Sequence, residues 1–345
     1  MSRSMTPKEN FMAVLNGEIP ESVVSYNMGF RGPNGGEVTR SIGPTLWEDH
    51  SRGPQGGKDI WGVSYVANEE TGYASIPEPN NFILKDITEW RDVIKFPEVP
   101  SVDWAKMAED DYAKAEIDRN MSSVFSGCNF MPFQQLVAFM GFNEGLCALY
   151  EEPEEVKDLL NTMTDFWLPI IEKTLDHYKP DWYYMLDDTA SRFNPFFSPE
   201  IYEDIFLPIY QRLSKPAVDR GLPIGFHNCG HCEVLLDYMK SFGVKFWDPA
   251  QPSAFNDLDG IKAKYGRELA IVGAWEVQLF PEWPNVPEEE IIQSIKDTID
   301  HYAPGGGYVF IGGVLGRAGD QRSLELQRLV SRTAKEYGDH WSEKH

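Results

Sequence analysis

The sequence is short of basic residues and of cysteine, and both shortages restrict what the protein can do. Of its 345 residues, 31 are Lys or Arg and 54 are Asp or Glu, which gives a formal net charge of −23. Such an acidic chain is a poor partner for the phosphates of nucleic acid. Four cysteines in this length do not make a disulfide framework. We therefore expect a cytoplasmic protein that does not bind nucleic acid.

Long apolar runs and the common nucleotide motifs are also missing. The uncharged stretch 121–143 contains Ser, Asn, Gln and Pro, so it is not apolar enough to cross a bilayer. The first residues, MSRSMTPKEN, have no apolar run after their basic residue, unlike a secretory signal. No GxxxxGK[ST] loop, no GxGxxG after a strand and no GxSxG elbow occurs. These absences disfavour a membrane protein, a nucleotide hydrolase, a Rossmann dehydrogenase and an α/β-hydrolase.

Short apolar segments recur along the chain, and a helical pattern follows each of them. This alternation is typical of an α/β protein with a parallel sheet. Seven strands are predicted, at residues 23–26, 123–126, 182–186, 223–226, 244–247, 270–272 and 308–311. Seven is one short of a (β/α)8 TIM barrel. We predict that barrel as a single domain over residues 1–345.

The helices carry clearer signals than the strands. Apolar residues form one continuous stripe over 153–178, and Pro180 ends it. Ser198 before Pro199 predicts another helix start, and Pro208 should kink or split that helix. Residues from about 32 to 103 are rich in Gly and Pro and lack a long helical period. We predict that they form an elaborated N-terminal loop region, inserted as a lid over the barrel mouth.

The densest group of metal-capable side chains is HNCGHC at residues 227–232, where a predicted strand gives way to a helix. Imidazole nitrogen and thiolate are good zinc ligands, and a helix N-terminus favours the thiolate. Cys128 and Cys147 do not supply a second ligand pair by spacing, so a metal here would be catalytic, with an open position. The alternative is a free thiol beside a histidine that packs or caps.

Other polar residues follow the remaining strands, at the edge where a TIM barrel keeps its active site. Asp188 and Glu276 are the candidates for an oxygen ligand, and with His227 they form the predicted catalytic set. Asp187 and Asp188 are adjacent, so only one of them should point into the site. Asp248 and Gln251 also follow a strand. The residues predicted to bind substrate are Asn27, Arg31, Asn129, Asp187, Arg192 and Trp275.

Several segments of the chain resemble the uroporphyrinogen decarboxylase superfamily and, within it, the corrinoid-dependent methyltransferases. The resemblance runs nearly end to end and is carried by MTPKENFMAVLNGEIPE, DIWGVSY, FPEVPSVDW, GFNEGLCALYEEPEEVKDLLNTMTDF, YYMLDDTASRFNPFFSPEIYEDIFLPIYQRL, HNCGHCEVLLDYMKSFGVKFWDPAQPSAFNDLDGIKAKYG and GGYVFIGG. It implies a (β/α)8 barrel, in a family whose members often form homodimers.

The resemblance separates two branches of that superfamily. The decarboxylase branch holds its polycarboxylate with an arginine-rich segment after the first strand, but here the segment reads NMGFRGPNGG, with Arg31 alone. In the methyltransferase branch, His227 and Cys229 match zinc ligands. A second cysteine ligand of that branch follows the last strand, where this chain has Gly312, Gly313 and Val314. The predicted metal set is therefore His227, Cys229 and Glu276, with Asp188 or Cys232 as alternatives.

The resemblance implies methyl transfer as the function. The predicted enzyme demethylates a small methoxylated or methylated-amine substrate and passes the methyl group to the cobalt of a corrinoid. Its cofactors would be zinc and the corrinoid, which a separate carrier protein supplies. The alternatives are methyl transfer from a methylcobamide to a thiol, decarboxylation of a smaller acid, and a barrel that binds a tetrapyrrole without turnover.

Overall fold

A computed structural model describes residues 5–26, 38–47, 52–71, 74–281, 285–314 and 320–341 of the chain. The strands are β1 Thr39–Ser41, β2 Gly56–Lys58, β3 Ser64–Val66, β4 Ile76–Pro77, β5 Ser123–Gly127, β6 Trp182–Leu186, β7 Ile224–His227, β8 Val244–Ala250, β9 Ala270–Gly273 and β10 Tyr308–Val309. The helices are α1 Pro7–Leu15, α2 Trp90–Val93, α3 Trp104–Ala115, α4 Pro132–Met140, α5 Phe142–Glu151, α6 Pro153–Tyr178, α7 Pro199–Ile201, α8 Leu207–Asp219, α9 Leu236–Ser241, α10 Leu258–Tyr265, α11 Glu288–Tyr302 and α12 Gln321–Asp339.

Within these described ranges, seven strands form a curled parallel sheet, in the order β1-β5-β6-β7-β8-β9-β10. The segment that was predicted as the first strand extends this sheet, because Ser25 is bridged to Phe310 in the parallel sense. Tyr26 N donates to Phe310 O at 2.7 Å, and Phe310 N donates to Val24 O at 2.9 Å. The fold is therefore α/β with a parallel half-barrel. A fully closed (β/α)8 barrel goes beyond these pairings and stays a prediction.

Six of the predicted strands, β5 to β10, lie where the apolar runs placed them. The strand β1 was not predicted, because its three residues, Thr39, Arg40 and Ser41, have no apolar pattern. It pairs with β5 and belongs to the main sheet, although it lies inside the segment that was predicted to be an insertion. That prediction is corrected at this point: residues 39–41 are part of the sheet.

Large aromatic side chains fill the concave side of the sheet. Along β6 the side chains alternate: Trp182 and Tyr184 join the inner cluster, while Tyr183 and Met185 pack against the helices outside. Phe246 needs the space beside Gly225, since a Cβ built on Gly225 would lie 1.8 Å from its ring. Phe11 of α1 closes the cluster, with its ring centroid 5.5 Å from that of Trp182.

The helix predictions agree with the structure. The stripe over 153–178 is α6, and the Ser198 side chain accepts a hydrogen bond from Ile201 N at the start of α7. A π-helical turn, Tyr202–Phe206, separates α7 from α8, and Pro208 lies in the first turn of α8. The helix is thus split near Pro208, as predicted. None of the helices in the described ranges is both long enough and apolar enough to span a membrane.

The described part of the N-terminal loop region contains the small antiparallel sheet β2-β3-β4. Trp61 of this region packs edge-on against Phe139 of α4 and against Phe166 and Trp167 of α6. The main chain joins the same surface, because Leu84 N donates to Phe139 O at 3.0 Å. These contacts fix the region on two helices of the main body. Its role as a lid over the mouth stays a prediction.

Candidate active site

The carboxyl ends of β6, β7 and β8 bring the polar residues of the site together. In the register of the sheet, Leu186 pairs with His227, and His227 pairs with Asp248. Since parallel strands end at a common edge, Asp188 and Cys229, which lie just beyond β6 and β7, reach the same place. Strand register, and not proximity in the sequence, therefore builds this site.

Asp188, His227 and Cys229 form a group whose potential ligand atoms all lie within 4.8 Å of one another. His227 Nε2 is 3.3 Å from Cys229 Sγ and 3.7 Å from Asp188 Oδ1. The side chains of His227 and Asp188 keep 12% and 33% of their surface exposed, so both are partly open to solvent. We call the partly exposed region beside these three residues at the strand ends the recess.

This donor set fits a catalytic zinc ion. Zinc bonds to nitrogen, sulfur and oxygen measure about 2.0–2.3 Å, which places neighbouring ligand atoms of a tetrahedron roughly 3.4 Å apart. The two distances from His227 Nε2 are close to that spacing. One imidazole, one thiol and one carboxylate make three ligands, and the fourth position would be open for a substrate atom.

Behind His227 lies a fully buried acid, Asp248. Its Oδ2 is 3.1 Å from His227 Nδ1, and the hydroxyl of Tyr184 donates to both of its oxygens, at 2.9 and 3.0 Å. Burial opposes a charged imidazole, but the charge and hydrogen bond of Asp248 outweigh burial and hold the pKa of His227 well above its ordinary value. The strand pattern located Asp248 after a predicted strand but assigned no function to it. No pattern in the sequence identified Tyr184 as a site residue.

The thiol of Cys229 favours its neutral form, whereas the imidazole of His227 favours its charged form. Burial raises the pKa of the Cys229 thiol, His227 opposes this increase, and nearby Asp188 adds to it. Without a metal, the site therefore favours a protonated imidazole next to a neutral thiol. A bound cation would replace those protons, because metal ligands bind in their deprotonated forms.

Two hydrogen bonds position Asp188. Cys229 N donates to its Oδ1 at 2.9 Å, and Gln134 Nε2 donates to its Oδ2 at 2.8 Å. Gln134 belongs to the first turn of α4 and was not predicted as a site residue. No spacing rule connects it with Asp188, which lies 54 residues further along the chain. Only the contact in three dimensions identifies it.

Asp187 points to the opposite side of the same strand end and is completely buried. Its carboxylate accepts hydrogen bonds from Phe133 N at 2.7 Å, Gln134 N at 3.0 Å and the Tyr210 hydroxyl at 2.8 Å. Burial raises the pKa of Asp187 to about 7, although these hydrogen bonds act in the other direction. Asp187 thus caps the start of α4. It would have to break these hydrogen bonds to make the substrate contact predicted for it.

Glu276, the predicted third ligand, lies outside the group of ligand atoms found among the described residues. Its carboxylate accepts hydrogen bonds from Gln251 Nε2 at 3.2 Å and from Ser253 N at 3.0 Å. Gln251 in turn accepts one from Gly230 N at 2.8 Å, so Glu276 supports the loop around the site. The structure brings Asp188, the alternative acid, to His227 and Cys229 instead.

The remaining predicted residues lie at different places around the rim. Trp275 is buried, with its indole nitrogen donating to Ser294 of α11 at 2.9 Å. Arg192 Nε donates to Ser253 O at 2.7 Å, and Asn129 is exposed beyond β5. The thiol of Cys232 is buried and donates to main-chain oxygens of Asn228 and Cys229 at 3.3 Å. Asn27 and Arg31 lie outside the described residues.

Comparison with known proteins identifies a family for more than half of the chain. The model of the family described as Uroporphyrinogen decarboxylase (URO-D) matches residues 74–314. None of the curated proteins matches the sequence. Similar solved structures include two sugar phosphate isomerase/epimerase proteins from Parabacteroides distasonis ATCC 8503. One is 12% identical in sequence, and the alignment covers 67% of this chain and 77% of the other chain, with a TM-score of 0.36. The other is 14% identical in sequence, and the alignment covers 69% of this chain and 80% of the other chain, with a TM-score of 0.34.

Proposed function

The chain belongs to the uroporphyrinogen decarboxylase family, and we propose that it is a methyltransferase within this family. The proposed reaction removes a methyl group from a small methoxylated or methylated-amine compound and transfers it to the cobalt of a corrinoid on a separate carrier protein. The observation that carries the proposal is the convergence of His227, Cys229 and Asp188 at the strand ends.

Methyl transfer to Co(I) is a displacement, so the heteroatom that leaves must be activated while the methyl carbon is held in line with cobalt. A zinc ion bound by His227, Cys229 and Asp188 would polarise that heteroatom as a Lewis acid. The chain contributes the orientation of these side chains. Asp248 fixes His227 from behind, and Gln134 and Cys229 N hold the Asp188 carboxylate.

The ligand set favours an oxygen or nitrogen leaving atom over a thiol substrate. A site with one thiolate and one carboxylate is a harder Lewis acid than a site with two thiolates. Cys232 does not supply the second thiolate here, because its sulfur donates to main-chain carbonyls. This argues for demethylation of a methoxylated or aminated compound, and it makes thiol methylation the second choice.

The charge of the rim supports methyl transfer over decarboxylation of a polycarboxylate. Asp188 lies beside His227, and Glu276 supports the loop around it. Arg192, one of the residues predicted to bind substrate, donates from its Nε to Ser253 O. A substrate with several carboxylates would meet repulsion from these acids, whereas a neutral methoxylated compound or a methylated amine would not.

The test is a methyl-transfer assay with the purified, zinc-loaded full chain and a reduced corrinoid carrier. A panel of methoxylated aromatics and methylated amines is offered, and conversion of Co(I) to methyl-Co(III) is followed by absorbance. We expect one of these classes to give methylcobalamin at a rate that falls at least 100-fold in C229S. A parallel incubation with methylcobalamin and small thiols tests the second choice. Failure of every donor would refute the proposed reaction, and turnover of thiols alone would replace it with thiol methylation.

A further inference from the structure

We propose that Asp248 and Tyr184 are positioning residues that keep the Nδ1 hydrogen on His227, so that the Nε2 lone pair faces Cys229 and Asp188. The inference deepens the proposed function and rests on it in one respect, namely that the recess binds a metal. Neither residue is one of the three potential metal ligands. Their effect would be exerted entirely through the imidazole ring.

The first argument comes from the donors and acceptors around the Asp248 carboxylate. An ionised carboxylate can only accept hydrogen bonds, and Tyr184 donates to both of its oxygens. The contact of 3.1 Å between Asp248 Oδ2 and His227 Nδ1 therefore requires the hydrogen to be on Nδ1. In a neutral ring this leaves Nε2 without a hydrogen, as a metal ligand must be.

The second argument comes from the direction of the ring. His227 Nε2 points at Cys229 Sγ, at 3.3 Å, and at Asp188 Oδ1, at 3.7 Å. The opposite tautomer would direct an N–H at the position of a metal and would set the Nδ1 lone pair against the buried carboxylate. Asp248 makes that tautomer unfavourable at the Nδ1 end of the ring.

The third argument concerns the buried negative charge. Asp248 has no exposed surface, and the side chains that surround the interior beneath it are aromatic, among them Tyr184 and Phe246. A buried carboxylate needs a compensating positive charge. Among the described residues, the ion-pair partner of Asp248 is His227. The contact of 3.1 Å with Nδ1 therefore ties the buried Asp248 carboxylate to the imidazole of His227.

The decisive variant is Asp248→Asn, in which the side chain keeps its size and loses its charge. Its amide can donate to Nδ1, which favours the opposite tautomer with the hydrogen on Nε2. Nitrogen-15 NMR of histidine-labelled, metal-free protein, recorded at increasingly alkaline pH until the His227 nitrogen shifts stop changing, reports the tautomer of the neutral ring directly. We expect the Nδ1–H form of His227 in the wild type, and loss of that preference in D248N. This readout does not depend on metal or on activity.

The second measurement is the zinc dissociation constant, obtained by competition with a chromogenic chelator. Loss of a carboxylate behind a ligating histidine typically weakens metal binding by about 10–100-fold, and we expect that range for D248N. Tyr184→Phe removes only the support of the carboxylate, so we expect a smaller loss. Tyr183→Phe is the matched control, because Tyr183 precedes Tyr184 on β6, packs in the outer cluster, and makes no hydrogen bond to Asp248 or His227. It should bind zinc as the wild type does.

Each outcome decides for or against the inference. Wild-type zinc affinity in D248N together with an unchanged His227 tautomer would overturn it. If D248N does not fold, Y184F and Y183F still provide the comparison, and equal zinc affinity in these two variants would count against the role of Tyr184 and of the carboxylate it holds. If the wild type binds no zinc, the proposed function loses its electrophile, but the NMR experiment on metal-free protein still tests Asp248.

Discussion

Asp187 and Asp188 are adjacent in the chain, yet their carboxylates lie on opposite sides of the end of β6. Asp187 accepts the main-chain N–H groups of Phe133 and Gln134, at the start of α4. Asp188 faces the recess and accepts the side-chain amide of the same Gln134. Asp187 thus caps the first turn of α4, and Gln134 in that turn orients the carboxylate of Asp188. The position of Asp188 beside His227 consequently depends on a helix that belongs to a different part of the chain.

This arrangement predicts that Gln134 acts through Asp188. Replacing Gln134 with Ala removes the donor to Asp188 Oδ2, so the carboxylate should lose its fixed orientation. We expect zinc affinity to fall several-fold, with little change in the unfolding midpoint because the side chain is only half-buried. Chelator competition and thermal unfolding provide the two readouts. Gln135→Ala is the neighbouring control, since the side-chain nitrogen of Gln135 has no partner among the described residues. Equal zinc affinity in both variants would argue against the role of Gln134.

The identity of the acidic ligand gives a second prediction. In Asp188→Asn the recess loses the carboxylate nearest to His227 Nε2, and zinc affinity should fall by more than tenfold because an anionic ligand is replaced by a neutral amide. In Glu276→Gln the hydrogen bonds to Gln251 and Ser253 are disturbed, but the three ligand atoms stay in place. Zinc content after dialysis distinguishes the two. A metal-free E276Q beside a fully loaded D188N would restore Glu276 as the ligand.

A third prediction concerns pH and Asp187. The pKa of Asp187 is raised to about 7 in the folded protein by burial, whereas an aspartate in an unfolded chain titrates near 4. Between these values the folded state binds the proton more tightly, so this group lowers the free energy of unfolding as pH rises from about 4 to about 7. In Asp187→Asn that contribution is absent. Urea unfolding across this range should show the stability of the wild type falling relative to D187N, by a few kcal/mol at most, and levelling off above pH 7. A constant difference would contradict the raised pKa.

A fourth prediction concerns the aromatic interior that supports the site. Gly225→Ala would place a methyl group against the ring of Phe246, with its Cβ 1.8 Å from the nearest ring carbon. Overpacking of this kind costs about 1–3 kcal/mol of stability, and here the fully buried ring has little room to move. Gly43→Ala is the control, because a Cβ at Gly43 meets nothing within 4 Å. Chemical unfolding should show a large loss for G225A and almost none for G43A, and comparable losses would be evidence against this packing.

Local patterns in the sequence were enough to predict much of the fold. The apolar stripe of α6 and the cap at Ser198 depend on neighbouring residues, so they can be read from the chain. β1 could not be found in this way, because Thr39, Arg40 and Ser41 become a strand only by pairing with β5. Closure of the sheet into a complete barrel would likewise depend on pairings that no local pattern specifies.

The site was predictable to the extent that it follows from strand ends. His227, Cys229 and Asp188 come directly after β6 and β7 or at their ends, and parallel strands bring such residues together. Glu276 also follows a strand, but Gln251 and Ser253 bind its carboxylate away from the group. Gln134 and Tyr184 were missed because their importance comes from contacts with residues more than 50 positions away.

The central claim is that His227, Cys229 and Asp188 bind one metal ion. Zinc K-edge X-ray absorption of the zinc-loaded protein tests it most directly, because sulfur and nitrogen or oxygen neighbours are resolved by distance. The account predicts one sulfur at about 2.3 Å, with the remaining neighbours being nitrogen or oxygen at about 2.0–2.2 Å. The sulfur signal should disappear in C229S. No bound zinc, two sulfur neighbours, or a sulfur signal that persists in C229S would contradict the account.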